Sequence, residues 1–265
     1  MKSRAQIRRY YHRLSRAWGP QHWWPAGSRF EVIVGAYLTQ NTAWTNVERA
    51  MANLRRARVL SLAGIRAISL PQLEQLVRPA GYFRQKAARL KQFVAHLDAN
   101  YGGSLRRMCA RPTAELREEL LSLNGIGPET ADSILLYAAN HPVFVVDAYT
   151  RRLVVRHRLL PEKARYEEIR ALFESALSGG QSQKQHTRDT KDHTKGAREA
   201  RVPAAHPPSR MSTARRSELA QRYNEMHALI VQVGKHYCHK RGPECSGCPL
   251  HRFLPSDSAL RLRKD

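Results

Sequence analysis

Leu123-Asn124-Gly125-Ile126-Gly127-Pro128-Glu129-Thr130-Ala131 joins two amphipathic runs, and within it two glycines flank a single apolar residue. Gly125 and Gly127 permit backbone angles closed to other residues and let an anion approach the chain closely. Ile126 can plug the connection into a core. Pro128 suits the first turn of the second helix, where its missing N–H costs nothing. The free N–H groups and the dipole of that helix start form a phosphate site, with Asn124, Gly125, Ile126, Gly127 and Thr130 as its residues. A tight connection with no ligand shows the same local pattern, so the rest of the chain has to separate the two readings.

Charge is the first separator. The 265 residues carry 45 Lys and Arg against 22 Asp and Glu, a formal net charge of +23, which points to a polyanionic partner. The basic N-terminus (Lys2, Arg4, Arg8, Arg9) is followed by Tyr10, Tyr11 and His12, so it is not expected to be a secretory signal. No run of ~18 apolar residues suggests a membrane span. Cys238, Cys245 and Cys248 fall within eleven residues, with Cys109 far off. That spacing suits a metal site in a reducing compartment better than a disulfide framework, and a cytoplasmic, nucleoid-associated protein is expected.

Outward from the hairpin, almost every segment reads as helix, and the fold class is all-α. Phe30, Val32, Ile33, Val34, Ala36 and Leu38 are apolar on most sides, as in a helix buried in a core. Val47, Ala50, Met51 and Leu54 follow a cap expected at Asn41 or Thr42. Ser69 before Leu70 and Pro71 marks another start, and a long helix is expected from Phe83 to Ala99. Thr113 is expected to cap the helix of Leu116, Leu120 and Leu121. Periodicity resumes with Leu219, Tyr223, Met226, Ile230 and Val233. The only strand-like stretch is Val143 to Val146. Residues 179–216 have no Phe, Tyr or Trp, few aliphatics, and nine Lys or Arg against three Asp or Glu. Such a composition cannot offset its ordering entropy, so a disordered basic insertion is expected there, and a basic tail over 255–265.

The pattern L-x-G-I-G-x-x-T-A, followed by Val145-Val146-Asp147, resembles the endonuclease III superfamily of helix-hairpin-helix base-excision glycosylases. Leu38-Thr39-Gln40-Asn41-Thr42 matches the family's helix-end motif, and Gly81-Tyr82-Phe83-Arg84-Gln85-Lys86-Ala87 its loop before a long helix. The resemblance runs from about Phe30 to Cys248, apart from the insertion. It implies a six-helix barrel domain over residues 22–142 and a second helical domain from 1–21 plus 143–254, with the active site in the cleft between them. It also implies a monomer acting on double-stranded DNA that contains damaged bases.

Asp147 matches the family's catalytic aspartate. Excision of a base passes through an oxocarbenium-like sugar, which a carboxylate stabilises while it orients the attacking water. Asp147 also precedes Ala148-Tyr149-Thr150 as a plausible helix N-cap, and the two roles can coexist. Bifunctional members carry a Schiff-base lysine in the hairpin's second helix. The matching residue here is Glu129, and no lysine lies between Lys91 and Lys163. A monofunctional glycosylase is therefore expected ahead of a glycosylase/AP lyase or a non-catalytic DNA-structure-binding protein.

A base must be flipped from the stack to be excised. By the resemblance, Gln40 and Tyr82 insert into the duplex. Trp23-Trp24-Pro25 together with Leu38-Thr39-Gln40-Asn41-Thr42, and the missing lysine, resemble the 3-methyladenine glycosylase branch more than the pyrimidine-damage branch. Cationic alkylated purines stack well on indole faces, so Trp24 and Trp44 are expected to line the substrate pocket and Trp23 to pack in a core. Cys238-x6-Cys245-x2-Cys248 reproduces three ligands of the family's [4Fe–4S] loop, and the fourth position is Leu254. Such a cluster ordinarily takes four thiolates. A cluster with a substitute ligand ranks first, a Cys3His zinc site with His251 or His239 second, and a metal-free loop third.

Overall fold

The computed structural model describes residues 2–179 and 206–255, and among them there is no strand. Residues 180–205 and 256–265, most of the expected insertion and tail, lie outside the described residues. The described chain divides into two compact units. One, here the hairpin unit, comprises residues 24–143 and 208–220; the other, the cysteine-loop unit, comprises 2–23, 144–179, 206–207 and 221–255.

The hairpin unit is built around α2 (Arg29–Leu38), whose residues from Phe30 to Leu38 are buried apart from Glu31. Ser28 caps it by accepting from the Glu31 N–H, one of the four donors a helix start leaves unpaired. Packed on α2 are α3 (Trp44–Arg56), α6 (Phe83–Tyr101), α9 (Pro128–Ser133) and the π-helical turn Ile134–Ala138 that continues α9. The remaining helices are α4 (Leu62–Ala67), α5 (Leu70–Val77), α7 (Leu105–Met108) and α8 (Thr113–Ser122), with a 3-10 turn at Arg78–Ala80. At α5, Ser69 and Gln72 form a reciprocal capping box.

Two expected caps are displaced. Ala43, with no side-chain bond, occupies the α3 cap position, because Asn41 adopts a left-handed conformation (φ 51°) in the preceding turn. Pro112 occupies the cap of α8, and the Thr113 hydroxyl instead pairs with His141 Nδ1 at 2.6 Å.

Residues 206–216 also depart from the sequence expectation, because they are folded against the molecule. Met211 and Ser212 are buried. Ser209 Oγ donates to the Trp24 carbonyl at 3.1 Å, and the Met211 N–H to the Ala26 carbonyl at 3.0 Å. A few specific hydrogen bonds and one buried methionine decide this segment, and composition averages over them.

In the cysteine-loop unit, α1 (Lys2–Trp18) packs along α11 (Tyr166–Leu177). The buried faces are Ile7, Tyr10, Leu14 and Trp18 on one and Ile169, Phe173, Ala176 and Leu177 on the other. The unit also holds α10 (Ala148–Arg156) and residues 221–236 of α12 (Glu218–His236). Val143–Val146 is buried but is not a strand. No strand lies alongside, and side chains of α11 take its backbone donors: the Phe144 N–H reaches Glu174 Oε1 at 3.0 Å, and the Val146 N–H reaches Tyr166 Oη at 3.3 Å. The Phe144 ring stacks on Phe173 with centroids 4.5 Å apart. This anchored segment ends at Asp147.

Candidate active site

Asp147 is the N-cap of α10, with its Oδ1 accepting from the Thr150 N–H at 2.7 Å. The second carboxylate oxygen, Oδ2, lies 3.5 Å from Nε2 of His227, and the Asp147 side chain is 13% exposed. Burial pushes the carboxyl's pKa up, but His227 and the Thr150 N–H outweigh it and hold the group below the usual carboxylate value. Capping and an ionised, largely desolvated carboxylate are thus properties of one residue. A close approach fixes the surroundings: a Cβ added to Gly234 of α12 would collide with the edge of the Tyr149 ring. His227 was not singled out by the sequence reading. Its only signal is a histidine on the apolar face of α12, between Tyr223 and Ile230.

In the hairpin, Gly125 has φ +80°, and an added Cβ would collide with the Arg89 guanidinium. Ile126 is buried, its N–H closing the turn onto the Leu123 carbonyl at 3.1 Å. Thr130 is buried too, while Asn124, Gly127 and Glu129 are exposed. The outward face of the hairpin is therefore backbone plus Asn124, Pro128 and Glu129, with Ile126 and Thr130 turned inside. Behind it, Arg117 of α8 makes a bidentate pair with Asp132 of α9 at 2.7 and 3.2 Å, and the Asp132 side chain is fully buried.

Gln40 is tied to the same hairpin. Its Nε2 donates to the Gly125 carbonyl at 2.8 Å and to Thr130 Oγ1 at 2.9 Å, and its Oε1 accepts from Arg89 Nη1 at 3.2 Å. Tyr82 differs: it is 65% exposed and sits in a left-handed conformation (φ 46°, ψ 33°) at the cap of α6. A non-glycine residue held there stores roughly 1 kcal/mol or more of backbone strain.

Trp24 is buried, edge-on to Trp44 with centroids 5.3 Å apart and 5.2 Å from the Tyr137 ring. It backs Trp44, which is partly exposed and donates its indole N–H to Glu48 at 2.9 Å. Trp23 is buried, with the Lys235 ammonium over its ring.

Cys238, Cys245 and Cys248 line one cavity together with Arg156, His251 and Leu254. Arg156 donates to Cys238 Sγ at 3.1 Å and to the His239 carbonyl at 2.6 Å. Burial pushes the Cys248 thiol up to about 12. Among the described residues no group of three or more His, Cys, Asp or Glu is disposed to hold a metal ion. Leu254 offers no donor, so the residues present do not fit a four-thiolate cluster. Cys109 is a buried thiol in the other unit. Among the described residues no helix is long and apolar enough to cross a membrane.

The family model of HhH-GPD superfamily base excision DNA repair proteins matches residues 34–178. A provisionally named DNA repair glycosylase of Methanocaldococcus jannaschii is 40% identical over 251 residues, 94% of this chain and 96% of its own. The 3-methyladenine DNA glycosylase of H. pylori, solved bound to 1,N6-ethenoadenine, superposes with a TM-score of 0.65 at 28% identity, covering 88% of this chain and 97% of that one. Endonuclease III, trapped as a covalent intermediate with DNA, shares the fold with a TM-score of 0.70 at 19% identity, over 98% of this chain and 99% of its own. The chain belongs to the HhH-GPD superfamily of base excision DNA repair proteins.

Proposed function

We propose that this chain is a monofunctional DNA N-glycosylase that hydrolyses the bond between an alkylated purine and its deoxyribose. The observation that carries the reading is Asp147, whose carboxylate is held ionised with Oδ1 on the Thr150 N–H and Oδ2 beside His227. The C1′–N bond breaks with its electron pair leaving on the base, so a cationic base departs neutral and needs no added proton. The sugar remains as an oxocarbenium ion, which the carboxylate stabilises. Water adds to C1′ and its proton passes through Asp147 to solvent. The products are the free base and an abasic site.

Glu129 occupies the position of the lyase lysine and is exposed. A carboxylate cannot form an imine, so water is the nucleophile and the strand stays intact. Asn124, Gly125 and Gly127 present the hairpin backbone to a phosphate of duplex DNA, with Gln40 and Tyr82 entering the duplex. Trp44, backed by Trp24, stacks on the extruded base. The likeness to a 3-methyladenine glycosylase supports the alkyl-base assignment. The cysteine loop, one ligand short of a four-thiolate set, is read as lying outside the chemistry of excision.

The test is a panel of duplexes bearing 3-methyladenine, thymine glycol or a normal base, assayed with and without alkali and with borohydride. We expect release of 3-methyladenine, strand breaks only after alkali, and no borohydride-trapped adduct. A strong trapped band would overturn the monofunctional assignment, and efficient release of thymine glycol would overturn the alkyl-base assignment.

A further inference from the structure

Lys86, in the first turn of α6, is a lysine with 1% of its surface exposed. Its Nζ donates to three backbone carbonyls: Ala80 at 2.7 Å, Leu38 at 2.9 Å and Gln40 at 2.9 Å. Those bonds use all three donors of the ammonium. Leu38 ends α2, where unpaired carbonyls and the negative end of the dipole favour a cation. Gln40 lies in the turn that follows α2, and Ala80 ends the 3-10 turn that leads into Gly81 and Tyr82.

Removing an ammonium from water costs several kcal/mol before its partners offset it, and an apolar side chain of similar volume would fill this space without that cost. What the lysine adds is geometry. One nitrogen atom references the loop of Gln40 and the loop of Tyr82 to each other. One turn further along the same helix, Arg89 holds the Gln40 side chain through Oε1, and the Tyr82 carbonyl accepts the Lys86 backbone N–H at 3.0 Å. Burial and the nearby Arg89 bring the Lys86 ammonium down to about 8, which leaves it protonated at neutral pH.

We propose that Lys86 is a positioning residue that fixes the two duplex-entering loops in register, so that the Gln40 and Tyr82 elements enter the base stack together. This rests on the reading that those two residues enter the duplex. A lysine serving only to fill the core would affect stability and leave duplex opening unchanged in the folded protein.

The experiment uses a duplex carrying a tetrahydrofuran abasic analogue flanked by 2-aminopurine, whose fluorescence rises as neighbouring bases unstack. It compares the full-length wild type with Lys86→Met, Lys86→Gln and Tyr82→Ala at saturating protein. Affinity for an undamaged duplex and the thermal melt are measured alongside. We expect Lys86→Met to lose more than half of the fluorescence rise while remaining folded and keeping its affinity for undamaged duplex. Lys86→Gln, which keeps a donor for at most two of the three carbonyls, should fall between it and wild type, and Tyr82→Ala should lose the rise as well.

A full rise in Lys86→Met beside a lost rise in Tyr82→Ala would overturn the positioning role and leave the insertion reading standing. A full rise in Tyr82→Ala would overturn the insertion reading itself, and the positioning role with it. If both lysine variants were unfolded at the assay temperature, Lys86 would be a stability residue and the proposal would fall.

Discussion

The hairpin and the cysteine loop both keep the spacing of a known motif, but the hairpin keeps the glycines and apolar plug that shape its turn, whereas the loop lacks one of its four thiolates. In the hairpin, Gly125 holds the left-handed turn, Ile126 fills the core, and Gln40 takes up the Gly125 carbonyl. Arg117 and Asp132 lock its two helices. In the loop, three thiols line a cavity, Arg156 contacts one of them, and the fourth position is Leu254. Spacing reports ancestry of the backbone, whereas the donor atoms actually present report what the site can bind.

The largest expected effect is at Arg117. Replacing it with Ala leaves the Asp132 carboxylate buried without its bidentate partner, which should cost about 3–5 kcal/mol. Chemical denaturation should show that loss and, with it, weaker duplex binding. A change under about 1 kcal/mol would mean that the pair is no more than a surface ion pair in effect. Gly125→Ala should be smaller, about 1–2 kcal/mol for a Cβ forced into positive φ. It should also weaken duplex affinity, because the Arg89 guanidinium must move from beneath the turn. Unchanged affinity would show that this glycine serves only the connection.

On the other side of the comparison, Leu254→Cys should complete the loop with little change in stability. Purified anaerobically, that variant should hold more iron than wild type and absorb more strongly near the visible band of iron–sulfur clusters. Equal and stoichiometric iron in both proteins would show that the wild-type loop already recruits a fourth ligand, and no iron in either would show that the missing thiolate is not what keeps a cluster out.

The same contrast explains what was legible in the sequence. Gly125, Ile126 and Asp147 are local signals, read from backbone requirements and capping within a few residues. Helix starts such as Ser69 belong to the same class. His227 was missed because its meaning lies in a contact with Asp147 across 80 positions of sequence. Lys86 is legible only as part of a motif, since nothing local says that a lysine points inward to three carbonyls. Residues 206–216 were misread because composition gives no weight to a single buried methionine or to one serine bonded to the Trp24 backbone. Val143–Val146 has the apolar run of a strand, but its donors go to Glu174 and Tyr166, partners that periodicity does not reveal.

Asp147→Asn separates a role for the Asp147 charge in excision from its role as the cap of α10. Asparagine caps a helix as well as aspartate does, so the fold and the Thr150 contact should survive, while the negative charge facing the sugar is lost. The measurement is single-turnover release of 3-methyladenine by wild type and Asp147→Asn, with duplex affinity and the thermal melt recorded on the same samples. We expect the rate to fall by at least about 100-fold, the scale of removing a transition-state electrostatic partner, with affinity and melting nearly unchanged. A variant that kept most of its rate would show that Asp147 is only the cap of α10, and the hydrolytic mechanism built on it would be wrong.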